Sequence, residues 1–446
     1  MDAANDMVSA VSPMRAALQS LSTVEERGRV TEVLGTLVKA TGVRARVGEL
    51  CELRNRDGVI LRAEVIGFRG STAILTPFGS IAGLSNQTDV IAMRRGYTTP
   101  TGPMLLGRVL DGFGNPIDGK GPLVGAKYEP VDAEPPSPLA RRPVEQICET
   151  RVRAIDALLT VGRGQRLGLV APVGVGKTTL LGMLARGARS DVNVIALVGE
   201  RGREVNEFLM QVLGAEGLRR SVVVVATSDR PAVERAKCAQ VATAIAEGFR
   251  REGKHVLLLM DSITRYARAL REIGLATGEA PTRRGFPPSV FAAIPRLLER
   301  AGNDAHGQMT AFYTLLVEGD EENDPIAEEV RSVLDGHLHL SATQAQGGHY
   351  PAIDVLASLS RVMPAITPEP QQRAIARVRA WLAKFREIEL LVQMGEYRKG
   401  SDPQADEAMD RVPLLQTFLR QRPDEIPAAE TTYAGFMKIA GETDGR

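Results

Sequence analysis

The chain holds 446 residues, more than one average domain accommodates, with 55 basic against 54 acidic side chains and a net charge of +1. A balance this even supplies no global field toward nucleic acid or an anionic membrane surface. Three cysteines, Cys51, Cys148 and Cys238, are odd in number and far apart, which argues against a disulfide framework or a zinc site and for a reducing compartment. No apolar run approaches a membrane span, and Asp2 and Asp6 precede any basic residue, unlike a signal peptide. A soluble, cytoplasmic protein is expected.

Residues 1–26 open loosely. Ser12-Pro13 can cap a short amphipathic helix through Met14, Ala17, Leu18 and Leu21, readable as a frayed leader or as a docking and oligomerisation segment. Over 27–96 the pattern changes to short β-prone pieces, Val30–Val33, Thr36–Val38, Glu64–Ile66 and Ala73–Leu75. Turns at Gly42, Gly48, Asp57-Gly58 and Gly70 separate them, which predicts a small β-barrel. It lacks the interleaved aromatic and basic residues of an oligonucleotide-binding barrel, so a structural role without nucleic acid is expected. A Pro/Gly-rich connection follows, with a short strand and tight turns over Gly107–Gly119 and a surface linker over Pro130–Pro143.

The run Leu167–Ala171 reads as a buried strand, Pro172, Gly174 and Gly176 as a turn, and Lys177 onward as a helix. Strand, glycine turn, helix is the context a phosphate-binding loop requires. The glycines let backbone N–H groups curl around phosphate oxygens, from Gly174, Val175 and Gly176 through Lys177, Thr178 and Thr179, and the helix N-terminus adds partial positive charge. Lys177 would reach the β and γ phosphates and the Thr178 hydroxyl would ligate Mg²⁺. Ala171 stands where the pattern usually begins with Gly. The chain is expected to bind a nucleoside triphosphate.

Beyond the loop, apolar β-branched runs alternate with helical stretches: Val192–Val198, Ser221–Thr227, Val256–Met260 and Met309–Leu316. They predict a mostly parallel sheet buried on both faces, within a nucleotide-binding domain spanning 97–365. Asp261 ends one such run, where a carboxylate beside the loop can hold Mg²⁺ through water. Glu200 follows another, in Val198-Gly-Glu-Arg-Gly-Arg-Glu-Val205. It reads either as the group that polarises an attacking water or as a helix-capping acid. Glu204, one turn on, can position the metal's water or pair with Arg201. His337 and His339 share one face of a predicted strand, but no third metal ligand lies near them in sequence. Ile375, Val378, Leu382, Phe385, Ile388 and Val392 form the stripe of a long helix over 369–394, opening a helical domain at 366–446.

Five stretches together resemble the rotary-type hexameric ATPases: the phosphate loop, Gly199–Val205, Asp261–Tyr266, Gly107–Gly119 and Tyr350–Arg361. Within that group the likeness is to the ATPases of type III secretion systems, carried by Thr264–Ala269, Pro281–Phe291, Phe312–Gly319, Asp335–His337 and Gly395–Tyr397. The resemblance implies an α/β fold with an N-terminal barrel, a central RecA-like P-loop domain and a C-terminal helical domain. It implies ATP and Mg²⁺ as ligands, Lys177 and Thr178 on phosphate and metal, Asp261 supporting the metal and Glu200 activating water. It also implies Tyr350 stacking on adenine and Arg361 as an arginine finger reaching a neighbour's γ-phosphate, with Arg201 and Arg265 organising the site. Without the resemblance Tyr350 would read as a loop aromatic and Arg361 as a surface charge.

The implied function is ATP hydrolysis that powers protein export, by a homohexamer at the cytoplasmic face of the bacterial inner membrane. The implied partners are a central coiled-coil stalk, a stator-like regulator on the N-terminal segment, export chaperones with their secreted substrates, and the export apparatus. Likeness in Pro351–Val362 and around Gly395 favours a host-directed injection system over a flagellum. A catalytic subunit of an ion-translocating ATP synthase would show an acidic loop where this chain has Gly395–Asp402. A non-hydrolysing subunit would lack Glu200. An RNA translocase would need a basic, aromatic-bearing barrel.

Overall fold

The computed structural model describes residues 26–55, 57–58, 60–317 and 324–442. The docking helix expected near Ser12 to Leu21 lies outside the described residues, as do Glu318 and Gly319 of the Phe312–Gly319 motif. The chain forms two compact units, Met1–Tyr97 and Thr98–Arg446.

The first unit is a closed six-stranded antiparallel barrel built from β1 (Arg27–Leu34), β2 (Leu37–Thr41), β3 (Glu49–Arg54), β4 (Ile60–Arg69), β5 (Thr72–Pro77) and β6 (Asp89–Gly96). The strands close in the order β1-β2-β5-β4-β3-β6. Alternate side chains turn inward, and Val30, Val38, Ala40, Cys51, Leu53, Val65, Leu75 and Val90 fill the interior. β3 pairs with β4 and β6, and β6 with β1, which closes the sheet. The expected small barrel is present.

In the second unit β7 (Thr98–Thr101) pairs with β9 (Lys127–Pro130), and between them lies β8 (Val109–Asp111). The turns after β8 are closed by Arg108, whose guanidinium grips Asp118 at 2.7 and 2.9 Å. The main sheet comprises β8, β10 (Arg166–Ala171), β11 (Val192–Glu200), β12 (Ser221–Thr227), β13 (His255–Asp261), β14 (Gln308–Leu316), β15 (Gly336–Leu340) and β16 (Ile353–Ser360). Their spatial order is β16-β15-β10-β14-β13-β11-β12-β8. All neighbours are parallel except β15 and β16, which are antiparallel at one edge. The central strands are buried almost end to end, as helices on both faces require, which explains their unbroken apolar runs.

The long helix Glu369–Gln393 and the helices Pro403–Leu419 and Ala429–Ile439 follow the sheet. Ile375, Val378, Trp381, Val412, Leu415 and Phe436 join the same apolar core as Leu167, Leu184 and Phe312 of the sheet region. The C-terminal helical region thus folds onto the nucleotide-binding sheet within one unit. Among the described residues no helix is long and apolar enough to cross a membrane.

Candidate active site

Parallel strands bring their C-terminal ends to one edge of the sheet, and the chemistry-bearing residues gather there. β10 ends at Ala171, and Gly174 and Gly176 take left-handed backbone angles (φ 83° and 88°) that a side chain would oppose. Gly176 is the cap of the helix Lys177–Gly187, so the amides of its first turn face the loop's interior. Val175 turns into the core and anchors the loop, while Thr178 is exposed at its mouth. Ala171, fully buried at the strand end, leaves this geometry intact.

Strand order, not chain order, sets the neighbours. Asp261 ends β13 and is 3% exposed. Its Oδ1 accepts the Thr314 hydroxyl at 2.7 Å and pairs closely with Lys177 Nζ. Glu200 ends β11, 6% exposed, with Oε1 at 3.8 Å from the same Lys177 Nζ. Arg265, in the first turn of the helix Ile263–Ala276, closes the cluster from the far side. Its Nε stands 3.1 Å from Glu200 Oε1, in ion-pair contact without hydrogen-bond geometry. Its Nη1 donates to the Gly199 carbonyl at 2.5 Å and its Nη2 to Glu200 Oε2 at 3.3 Å. Ser262 caps that helix by accepting the Arg265 amide, which fixes where the arginine starts.

Burial dominates the Glu200 carboxyl. Together with the nearby Asp261 charge and a hydrogen bond with Glu204, it outweighs Lys177 and Arg265 and pushes the pKa up to about 7. Glu204 therefore stands beside Glu200, and also pairs with Arg201 at 3.4 Å. Arg201 itself is three-quarters exposed and, among the described residues, joins the cluster through Glu204.

Tyr350 comes to the loop from the turn before β16. A Cβ placed on Gly176 would lie 3.4 Å from the Tyr350 ring, an ordinary contact distance, so the ring stands directly beside the loop. The ring is 43% exposed, leaving a face for a ligand. Its backbone carbonyl accepts the Gln421 amide at 2.9 Å. Gln421, 4% exposed, also bonds the Arg153 amide and the carbonyls of Arg151 and Glu425. Sequence reading missed both Thr314 and Gln421. Thr314 is detectable as a polar residue in an apolar strand, whereas nothing near Gln421 in the sequence marks it.

Arg361 is not brought to this cluster. β16 runs antiparallel to β15, so its C-terminal end lies at the opposite edge of the sheet, where Gly336 pairs with Ser360. The Arg361 side chain is exposed beside a hollow of about 250 Å³ shared with Arg141, Arg142 and Asn303. The loop and Arg361 thus lie at opposite edges of the sheet within one chain.

A glycine loop opening a helix, with two buried carboxylates on neighbouring strand ends, defines a P-loop nucleoside triphosphatase. Residues 151–360 match the ATP synthase alpha/beta family nucleotide-binding domain and residues 30–94 its beta-barrel domain. Residues 367–438 match the T3SS EscN ATPase C-terminal domain. The type 3 secretion system ATPase of Xanthomonas euvesicatoria is 58% identical over 426 residues, 95% of this chain and 96% of that one. The flagellum-specific ATP synthase of Bacillus subtilis is 46% identical over 421 residues, 94% and 96% of the two chains. The assembled ATPase EscN of the enteropathogenic E. coli type III secretion system superposes with a TM-score of 0.87 at 45% identity, covering 93% of this chain and all of that one. EscN in complex with its central stalk EscO gives 0.86 at 44% identity over the same shares. The chain belongs to the type 3 secretion system ATPases of the ATP synthase alpha/beta family, and it is an ATP-hydrolysing enzyme.

Proposed function

We propose that this ATPase works as a Mg²⁺-dependent homohexamer that releases export substrates from their chaperones and unfolds them at the cytoplasmic face of the inner membrane. The observation that carries the ring is the split site. Loop, carboxylates and Tyr350 share one sheet edge and Arg361 lies at the other, so an arginine acting as a finger would complete a site on another copy of the chain. In this reading the backbone from Gly174 to Thr179 and the Lys177 ammonium hold the phosphates, and Tyr350 stacks on adenine. Glu200 orients and deprotonates the attacking water, Arg265 fixes Glu200, and Glu204 with Arg201 flanks it.

The donor set suits Mg²⁺: an exposed Thr178 hydroxyl and the buried Asp261 carboxylate are hard oxygen ligands, few enough to leave room for water and phosphate. Mg²⁺ bound there would neutralise charge on the β and γ phosphates. Lys177, already paired with Asp261 and Glu200, would exchange those partners for phosphate oxygens without leaving the cluster.

Partners follow from the same reading. A coiled-coil stalk would occupy the ring's centre, as in the relative solved with its central stalk. A stator-like regulator would take residues 1–26, and chaperones the helical region 366–446. The 58% identity to a type 3 secretion system ATPase, against 46% to a flagellum-specific ATP synthase, supports a host-directed system.

Ring formation has a direct consequence. Specific activity is expected to rise with protein concentration in step with the assembled fraction measured by mass photometry, because a lone chain lacks the second edge of its site. Equal activity per chain in dilute monomer and assembled ring would overturn the split site.

The Glu200 environment sets a pH dependence. A base works only when deprotonated, and its pKa is raised to about 7, so kcat/KM should climb between about pH 6 and pH 8 and fall below that window. Glu200→Gln should abolish this limb. A limb near the ordinary glutamate value of about 4.3 would show that another group controls the rate.

A further inference from the structure

The strand that ends in the phosphate loop also anchors the segment that presents Arg361. At the other end of β10, Arg166 forks the Asp335 carboxylate, Nε to Oδ2 and Nη2 to Oδ1 both at 3.1 Å, and its amide donates to Oδ2 at 3.0 Å. The Asp335 amide returns a bond to the Arg166 carbonyl at 2.9 Å. The Asp335 carbonyl accepts the Arg361 amide at 3.0 Å and Gln165 Nε2 at 3.1 Å. Gln165 is fully buried and also donates to Ser360 Oγ at 3.0 Å, while Ser360 donates to the Thr160 carbonyl at 2.8 Å. Gly336 completes the clamp. A Cβ at that position would stand 2.3 Å from the Leu359 carbonyl oxygen, so β15 and β16 approach this closely only with glycine there.

The backbone of residues 360 and 361 is therefore held from several sides, while the Arg361 side chain stays exposed. We infer that Asp335 and Gln165 are positioning residues for Arg361, setting the reach and aim of the guanidinium that one subunit offers its neighbour. The inference rests on the trans reading of Arg361. Placement matters because an error near 1 Å in a catalytic group can cost about 10²-fold in rate. It also links two sites. β10 spans six residues, about 20 Å, so a subunit's grip on its own nucleotide and the anchor of its finger are the two ends of one buried strand.

Two variants test this in assembled rings. Asp335→Asn keeps the side-chain volume but loses the charge that Arg166 forks, and Ser360→Ala removes the Gln165 link together with the bond to the Thr160 carbonyl while leaving Asp335 and Arg166 in place. Each is expected to lower kcat about 10- to 100-fold while leaving KM for ATP within about 2-fold, since its own loop is untouched. Complementation separates positioning from general damage. Mixed with Lys177→Ala subunits, whose finger and anchor are intact, Asp335→Asn should recover activity. Mixed with Arg361→Ala it should not, and adding Asp335→Asn to Arg361→Ala should lower kcat no further. If Asp335→Asn fails to assemble, Ser360→Ala carries the same test. Wild-type kcat in the assembling variants overturns the inference. So does a loss that Lys177→Ala subunits fail to restore while they do restore Arg361→Ala, an outcome that leaves the trans finger standing. If Arg361→Ala is itself not restored, the trans reading has failed rather than its anchor.

Discussion

Lys177→Ala is expected to abolish Mg²⁺-dependent ATP hydrolysis, lowering kcat by about 10³-fold or more. The ammonium sits in a cluster where Asp261 is 3% and Glu200 6% exposed, so little water remains to replace its charge on the transferring phosphate. Fixed donors in such surroundings contribute about 10²- to 10³-fold each. The substitution also leaves two buried carboxylates without their shared cation, which weakens nucleotide binding through added negative charge. Glu200→Gln separates the steps. It preserves shape and keeps one acceptor oxygen for Arg265 while leaving the loop and Lys177 untouched, so nucleotide binding should persist, measured with a fluorescent ATP analogue. Turnover should fall about 10²- to 10⁴-fold, the range a general base supplies. Near wild-type hydrolysis by Glu200→Gln would transfer the water-activating role to another group.

Arg361→Ala should bind ATP as the parent does and still lose about 10³-fold or more in kcat, as arginine fingers contribute. The basis is distance within the fold: the backbone of Arg361 bonds to Asp335 at the start of β15, whereas the phosphate loop leaves the far end of the neighbouring β10. Mixing Arg361→Ala with Lys177→Ala should restore part of the activity. Some interfaces then combine an intact loop from one subunit with an intact arginine from the next. Subunit exchange is verified by co-purifying differently tagged chains. With exchange established, a mixture as inactive as its components would refute a finger supplied in trans. An Arg361→Ala protein active on its own would remove the role altogether.

Much of the nucleotide-binding framework was legible because the signals are local. The phosphate loop needs a strand, two glycines at left-handed angles and a helix start, all within Arg166–Gly187. The central strands were legible because burial on both faces demands unbroken apolar runs, and β12 occupies the residues read from the sequence. β3 and β6 of the barrel were not read, since their pairing partners rather than their own alternation make them strands. Glu200 was readable as a carboxylate at a strand end, but not as one with a raised pKa. That shift comes from burial and from Asp261, 61 positions away in the chain.

By itself the sequence determined the phosphate loop, the alternation of buried strands and helices, the small barrel and the kinship with secretion ATPases. Each is encoded in residue types and spacings over a few turns or strands. Only the tertiary structure decided which side chains meet. The order β10-β14-β13-β11 places Thr314 and Asp261 between the loop and Glu200, and the helix after β13 swings Arg265 onto Glu200. The turn before β16 lays Tyr350 against Gly176, and Gln421 pins it from the helical region. The antiparallel return of β16 sends Arg361 to the opposite edge. Strand order and direction arise from long-range packing of faces that look alike in sequence, so periodicity reveals that a strand is buried but not which strand lies beside it.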